Sequence, residues 1–230
     1  MPYEPRTIAL LTELLHPPVA PDHGAVQRIH NQMFEAGQPA YASFQVTPLG
    51  AVLSNPVTQP GAASAVAFLK DRIQFREELS GTGPEEFANR VRVISGAGAE
   101  ARRLQLFTGQ VVTIRSLINP RSTDDARTFL RSRVFGFGDQ LEAFDRDAQL
   151  FGLRLAFGAT KERPQAFGLR VESYAKDARS LFVEAQGNFG PTIAARGLEA
   201  SGENILETYR FVTERACSFL ARFDAPQETG

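Results

Sequence analysis

The chain has 230 residues, a formal charge of −1, and 43% hydrophobic and 22% charged residues, a composition suited to an ordinary globular body with one sizeable core or two small ones. So balanced a charge gives no long-range pull on nucleic acid or acidic membranes, and neither partner is expected. Cys217 is the single cysteine, which excludes an intramolecular disulfide and a cysteine zinc cage, and no run approaches the ~18 apolar residues of a membrane span.

In chain order, MPYEPRTIALLTELLHPP lacks a basic leader or a small-residue cleavage site, so a cytoplasmic protein is expected. Residues 6–15 fit a helix through Ile8, Leu11 and Leu15, or a strand through Ile8, Leu10 and Thr12, and the second half of the chain favours strand. Pro17, Pro18 and Pro21 break the chain, and Asp22 can cap a helix to about Glu35 with Val26, Ile29, Met33 and Phe34 on its apolar face, ended by Gly37. Strands follow at Tyr41–Val46 and Ala51–Ser54, then a Pro/Gly loop. Residues 64–77 read as one long strand with Leu69, Ile73 and Phe75 on one side and Lys70, Arg72, Gln74 and Arg76 on the other. Pro84 opens a second helix with Phe87, Val91 and Ile94 inward, and Gly96 and Gly98 loosen its end.

Leu104–Ile118 is β-rich and stops at Asn119-Pro120. Ser122 or Thr123 then caps a helix that carries Ala126, Phe129, Leu130 and Val134 inward. After the Gly/Phe-rich 135–138, strands are expected at Phe151–Phe157, Phe167–Val171 and Leu181–Ala185, with Arg154, Arg170, Glu172 and Glu184 opposite the apolar residues. A last helix over about 201–223 carries Ile205, Tyr209, Val212, Ala216, Phe219 and Phe223 at steps of three and four. Strand, helix, three strands, helix is thus written twice, over about 6–101 and 103–223. The expected fold is α+β, a single domain over 1–230 whose two pseudo-repeats share a curved, mainly antiparallel sheet with helices on one face.

The order of elements, with KDRIQFREE at 70–78, TIRSLINP at 113–120 and FGLRVESYAKD at 167–177, resembles a sporadically distributed bacterial family of uncharacterised proteins of about this length. In that family a strand bearing an Arg and ending in Asn follows the middle helix, as Arg115 and Asn119 do here. The family brings no catalytic residues to transfer, and its opening strand is more regular than RTIALLTELL. In size, arginine-rich composition and expected fold, the chain is also similar to precursor-peptide-binding proteins of myxobacterial ribosomal peptide natural-product clusters.

Side chains that could carry chemistry are few. His23 and His30 lie about 10.5 Å apart along one helix and cannot share a metal ion by themselves, and His16 lies beyond two prolines, so no metal is expected. Cys217 lies beside the packed stripe of the last helix, which suits a buried, inert thiol. Glu77-Glu78 and Asp124-Asp125 are sequence neighbours that point apart, so neither pair is a poised acid/base dyad. GAGAE at 96–100 follows a helix and lacks a following Lys-Ser/Thr, so neither a phosphate loop nor any other cofactor site is expected.

What remains is a sheet face. Arg72, Arg76, Arg115, Arg154, Arg170, Glu172 and Glu184 should emerge together opposite the helices. Of 25 basic residues only Lys70, Lys161 and Lys176 are lysine, as a GC-rich genome would produce and as bidentate carboxylate contacts would also favour. A water-facing sheet laced with ion pairs accounts for such a face. So does a platform whose arginine excess grips a peptide or an acidic small molecule, with Phe and Tyr at its rims. The functional expectation is therefore a non-catalytic binding protein. The alternative is a small hydrolase or isomerase using Glu172 or Glu184 beside an arginine, and a homodimer through sheet edges or the segment 135–144 could accompany either.

Overall fold

Strand β1 (Arg6–Leu15) settles the ambiguity of the opening segment, burying Leu10, Thr12 and Leu14 on one side and turning Leu11, Glu13 and Leu15 to the other. It belongs to a computed structural model that describes residues 3–37, 39–57, 59–196 and 198–225. Helix α1 (His23–Glu35) starts where the Asp22 carboxylate accepts from Ala25 N at 2.8 Å. Strands β2 (Ser43–Thr47), β3 (Gly50–Ser54), β4 (Ala63–Phe68) and β5 (Arg72–Glu78) form a meander, and α2 (Pro84–Ala101) closes the first unit.

The second unit contains the short β6 (Leu106–Phe107), β7 (Gly109–Ile118) and α3 (Ala126–Thr128), which runs on as a π-helical turn to Phe135. Then come β8 (Gly152–Phe157), β9 (Ala166–Ser173), β10 (Leu181–Phe189) and the short β11 (Thr192–Ile193), which pairs with β6. The closing helix is α4 (Glu199–Arg210), a π-helical turn (Phe211–Ala216) and α5 (Cys217–Phe223).

Nine strands form one sheet in the order β2-β3-β4-β5-β1-β7-β10-β9-β8, every neighbouring pair antiparallel. The order is pseudo-symmetric. Within this sheet the first strands of the two units, β1 and β7, pair at the centre, each is flanked by its unit's last strand, β5 or β10, and the rest follow outwards, with β2 the extra strand of the first unit. The fold is α+β, with a large antiparallel sheet whose inward side chains and the helices α1, α2 and α4 share one core. Helices α2 and α4 meet closely, since a Cβ on Gly202 would stand 3.3 Å from Ala88 O.

Several boundaries differ from those expected. The single long strand over 64–77 is a hairpin, closed by Leu69 N donating to Arg72 O at 2.9 Å across Lys70-Asp71. Its inward residues are even-numbered before the turn (Ser64, Val66, Phe68) and odd-numbered after it (Ile73, Phe75, Glu77), the switch that a two-residue reversal produces on one face. The helix expected to start at Ser122 or Thr123 is capped by Asp125, which accepts from Thr128 N at 2.8 Å, and it is π-helical for most of its length. Gly96 and Gly98 do not loosen α2, which continues to Ala101, and the Phe68 ring packs against Gly98, 2.9 Å from where a Cβ would be.

Candidate functional site

The strand registers place one row of side chains on the face away from the helices: Arg154 on β8, Arg170 on β9, Glu184 on β10, Arg115 on β7, Ala9 on β1 and Glu78 on β5. Glu172 and Arg76 lie two residues along β9 and β5, on the same face. All seven residues expected on this face therefore occupy it, six in or beside the row, while Arg72 stands apart at the start of β5.

The row is an ion-pair ladder. Arg115 Nε donates to Glu184 Oε2 at 2.7 Å, and its Nη1 reaches past Ala9 to Glu78 Oε1 at 3.3 Å, joining the two halves of the sheet. Arg76 donates to Glu78 at 2.5 Å. Arg170 holds Glu172 through Nε and Nη2 at 2.6 and 2.7 Å and stands 3.9 Å from Glu184. Hydrogen bonding to Glu172, helped by the charges of Glu172 and Glu184, outweighs the cost of desolvation and keeps Arg170 more firmly protonated than a free arginine. Arg72 is committed elsewhere, to Glu13 at 2.8 Å and Asp71 at 3.0 Å.

Two of these carboxylates, Glu13 and Glu78, were not among the expected site residues. They correct the expected charge excess, since four glutamates stand among the five arginines. The signal lay in parity, because Glu78 shares the face of Arg72 and Arg76, and Glu13 shares that of Leu11. Arg154 differs from the other arginines. It is exposed, it makes no ion pair among the described residues, and its direct cross-strand neighbour is another arginine, Arg170. The aromatic contribution on this face is Phe182, which lies under the Arg170 guanidinium at 5.5 Å and stacks on Tyr174.

Glu172 and Glu184 lie on an open face with guanidinium groups against them. Each is already hydrogen-bonded to an arginine of the face, Glu172 to Arg170 and Glu184 to Arg115, so neither is placed as an enclosed general base. The desolvated glutamate is instead Glu77, on the helix side of β5, 2% exposed. Its Oε1 accepts from Arg90 Nη1 at 2.5 Å, Ser64 Oγ at 3.0 Å and Tyr41 Oη at 3.2 Å, and its Oε2 from Thr82 at 3.3 Å. Burial first and then the Glu77 charge push the Tyr41 phenol well above its usual range. With every approach occupied, Glu77 is a structural tie.

Asn119 ends β7 as a structural group, accepting from Ser180 Oγ at 2.8 Å. Cys217 is buried, and burial pushes its thiol up to about 11. Among the described residues, no group of three His, Cys, Asp or Glu side chains is placed to hold a metal ion, and no helix is long and apolar enough to cross a membrane.

Among the described residues, concavities of about 600, 400 and 340 Å³ lie beside Asp125 and Arg131, beside Ser64 and Arg90, and beside Arg6 and Asn119. None of the three is lined by the ladder. Compared with known proteins, the chain matches no family model, no curated protein and no solved structure.

Proposed function

We propose that the protein is a non-catalytic binding protein that receives an acidic stretch of polypeptide on the open face of its sheet, at the Arg154–Arg170 end of the ladder. The observation that carries this reading is the uneven pairing of the arginines. Arg72, Arg76, Arg115 and Arg170 already hold carboxylates of this chain, whereas Arg154 stands exposed beside Arg170 with no carboxylate against it. A ligand carboxylate placed there relieves a like-charge contact and gains a pair, which no other position of the row offers. Phe182 and Tyr174 supply apolar and cation–π contact beside it.

The open, water-exposed face suits an extended peptide better than an enclosed small molecule, and a precursor peptide of a modified-peptide pathway is one ligand of this kind. The arginine-held glutamates support binding over acid/base catalysis.

Calorimetric titration with an octaglutamate peptide and an octalysine peptide at low and moderate salt tests the proposal. The glutamate peptide should bind, more weakly as salt rises, and Arg154→Ala and Arg170→Ala should each weaken it severalfold. Unchanged affinity in both variants, or equal affinity for the two peptides, removes the reading.

A further inference from the structure

We infer that the peptide enters as a tenth strand along the outer edge of β8, with an acidic side chain directly opposite Arg154. This rests on the function proposed above and adds the mode of attachment. Ser173 N donates to Phe151 O at 2.9 Å, which makes Phe151 and Ser173 a hydrogen-bonded pair of the β8–β9 ladder. Bonded and non-bonded pairs alternate along an antiparallel ladder. Leu153, Leu155 and Phe157 therefore spend their amides on β9, and Gly152, Arg154 and Ala156 turn their N–H and C=O groups outward, where β8 ends the sheet.

The same three residues point their side chains to the open face, and two of them are nearly bare. A strand laid against this edge thus meets a backbone unobstructed by side chains, with a single charged group, Arg154, at its centre. Both guanidinium groups that are nearest in the row, Arg154 and Arg170, favour a carboxylate on the incoming residue that pairs with Arg154. On the other side Leu155 is half-buried and Phe157 is 45% exposed, beside Phe211, so alternate residues of the incoming strand find apolar surface. The occupant is an extended segment that alternates acidic and apolar residues.

Charge separates this occupant from a second copy of the chain. Pairing β8 with another β8 brings Arg154 and Arg170 near the same two arginines of the copy, where like charges repel. The opposite edge, β2, has no charged residue in Ser43–Thr47 and serves as the control.

The probes are an octapeptide of alternating Val and Glu, the same peptide with Lys for Glu, and the Glu peptide N-methylated at alternate residues, read by fluorescence anisotropy alongside light scattering. The Val-Glu peptide should bind wild type, and both N-methylation and Ala156→Pro should abolish binding, the latter without unfolding because that N–H faces solvent. Arg154→Ala should weaken binding about fivefold, Arg154→Glu should transfer preference to the Val-Lys peptide, and Val46→Pro on β2 should change nothing. A Val-Glu peptide that responds to Arg170→Ala but to neither Ala156→Pro nor Arg154→Glu overturns the edge and leaves the open-face reading standing. Loss of binding in Val46→Pro moves the peptide to the other edge and overturns the inference. So does a wild-type dimer that Ala156→Pro dissociates, because the occupant is then a second copy. If Arg154→Ala merely aggregates and no peptide binds wild type, Arg154 is an edge guard, and the inference falls together with the reading beneath it.

Discussion

His16 is 4% exposed, and its Nδ1 lies 2.8 Å from Pro17 O, so that nitrogen carries the proton and Nε2 faces Arg102 Nη1 as an acceptor at 3.4 Å. Burial, with the Arg102 charge behind it, lowers the histidine below its usual range, against the Pro17 bond and the Asp71 charge. The unfolded chain therefore takes a proton near pH ~6.5 that the folded chain refuses. Stability from this group is complete above that value and falls as pH drops through it toward the lower folded pKa. The unfolding free energy from urea titrations should decrease between pH 7.5 and 5.5, by at most about 1.4 kcal/mol per pH unit, and His16→Gln should flatten that dependence. A steeper slope in the variant than in wild type would remove His16 as its source. None of this was legible in the sequence, where His16 followed by two prolines read only as a histidine outside the helix. What buries it is the β4–β5 turn and the end of α2, whose Arg102 also donates to Leu69 O at 2.7 Å.

At the scale of elements, alternation within a strand was readable, as was the reversal marked by Pro48 and Gly50, but the reversal inside 64–77 was not. The arginines of the open face were found because period two assigns sides without any knowledge of neighbours. The turn at Lys70-Asp71 was missed because it has neither glycine nor proline, and its only trace is the parity switch between Phe68 and Ile73. Glu77 follows Ile73 and Phe75 on the buried side by the same alternation. That residue ties β5 to β4, to α2 and to Tyr41 before β2, through contacts that no local pattern encodes. Removing its cation leaves a charge 2% exposed, so Arg90→Met should cost about 3–5 kcal/mol in chemical denaturation. Glu77→Leu combined with Arg90→Met should recover a large part of that loss, and a double variant no better than the single would contradict this account of the pair. Gly187 limits β10 in another way. A Cβ there would stand 2.6 Å from Thr208 Oγ1 and from the Phe189 ring, so Gly187→Ala should lower stability by about 1–3 kcal/mol as α4 is pushed from the sheet.

At the scale of the molecule, the sequence gives two similar halves but not the way they join. Besides the packing of α2 on α4, three features span the junction. β1 and β7 pair along most of their length, Arg115 reaches across Ala9 to Glu78 on the open face, and a polar cluster crosses beneath α4 on the other. In that cluster Gln110 donates to Thr12 Oγ1 at 3.1 Å and to Ser201 O at 3.0 Å, and accepts from Asn204 at 2.8 Å. The two sides carry different weight. Arg115 works at a wet surface where each pair contributes ~0.2–1 kcal/mol, so Arg115→Ala should cost about 1 kcal/mol, and less at high salt. Gln110 is 4% exposed, and Gln110→Leu takes away the donor to Ser201 O and the acceptor of Asn204, while Thr12 keeps its bond to Val111 O, so it should cost about 1–3 kcal/mol with little salt dependence. Because the buried side chains of both halves belong to one contiguous cluster, neither change should separate them into independently melting parts. Calorimetry on the Gln110→Leu variant should show one transition at lower temperature with equal calorimetric and van't Hoff enthalpies. Two resolved transitions would mean that each half holds its own core and that the β1–β7 seam is a docking contact between finished units.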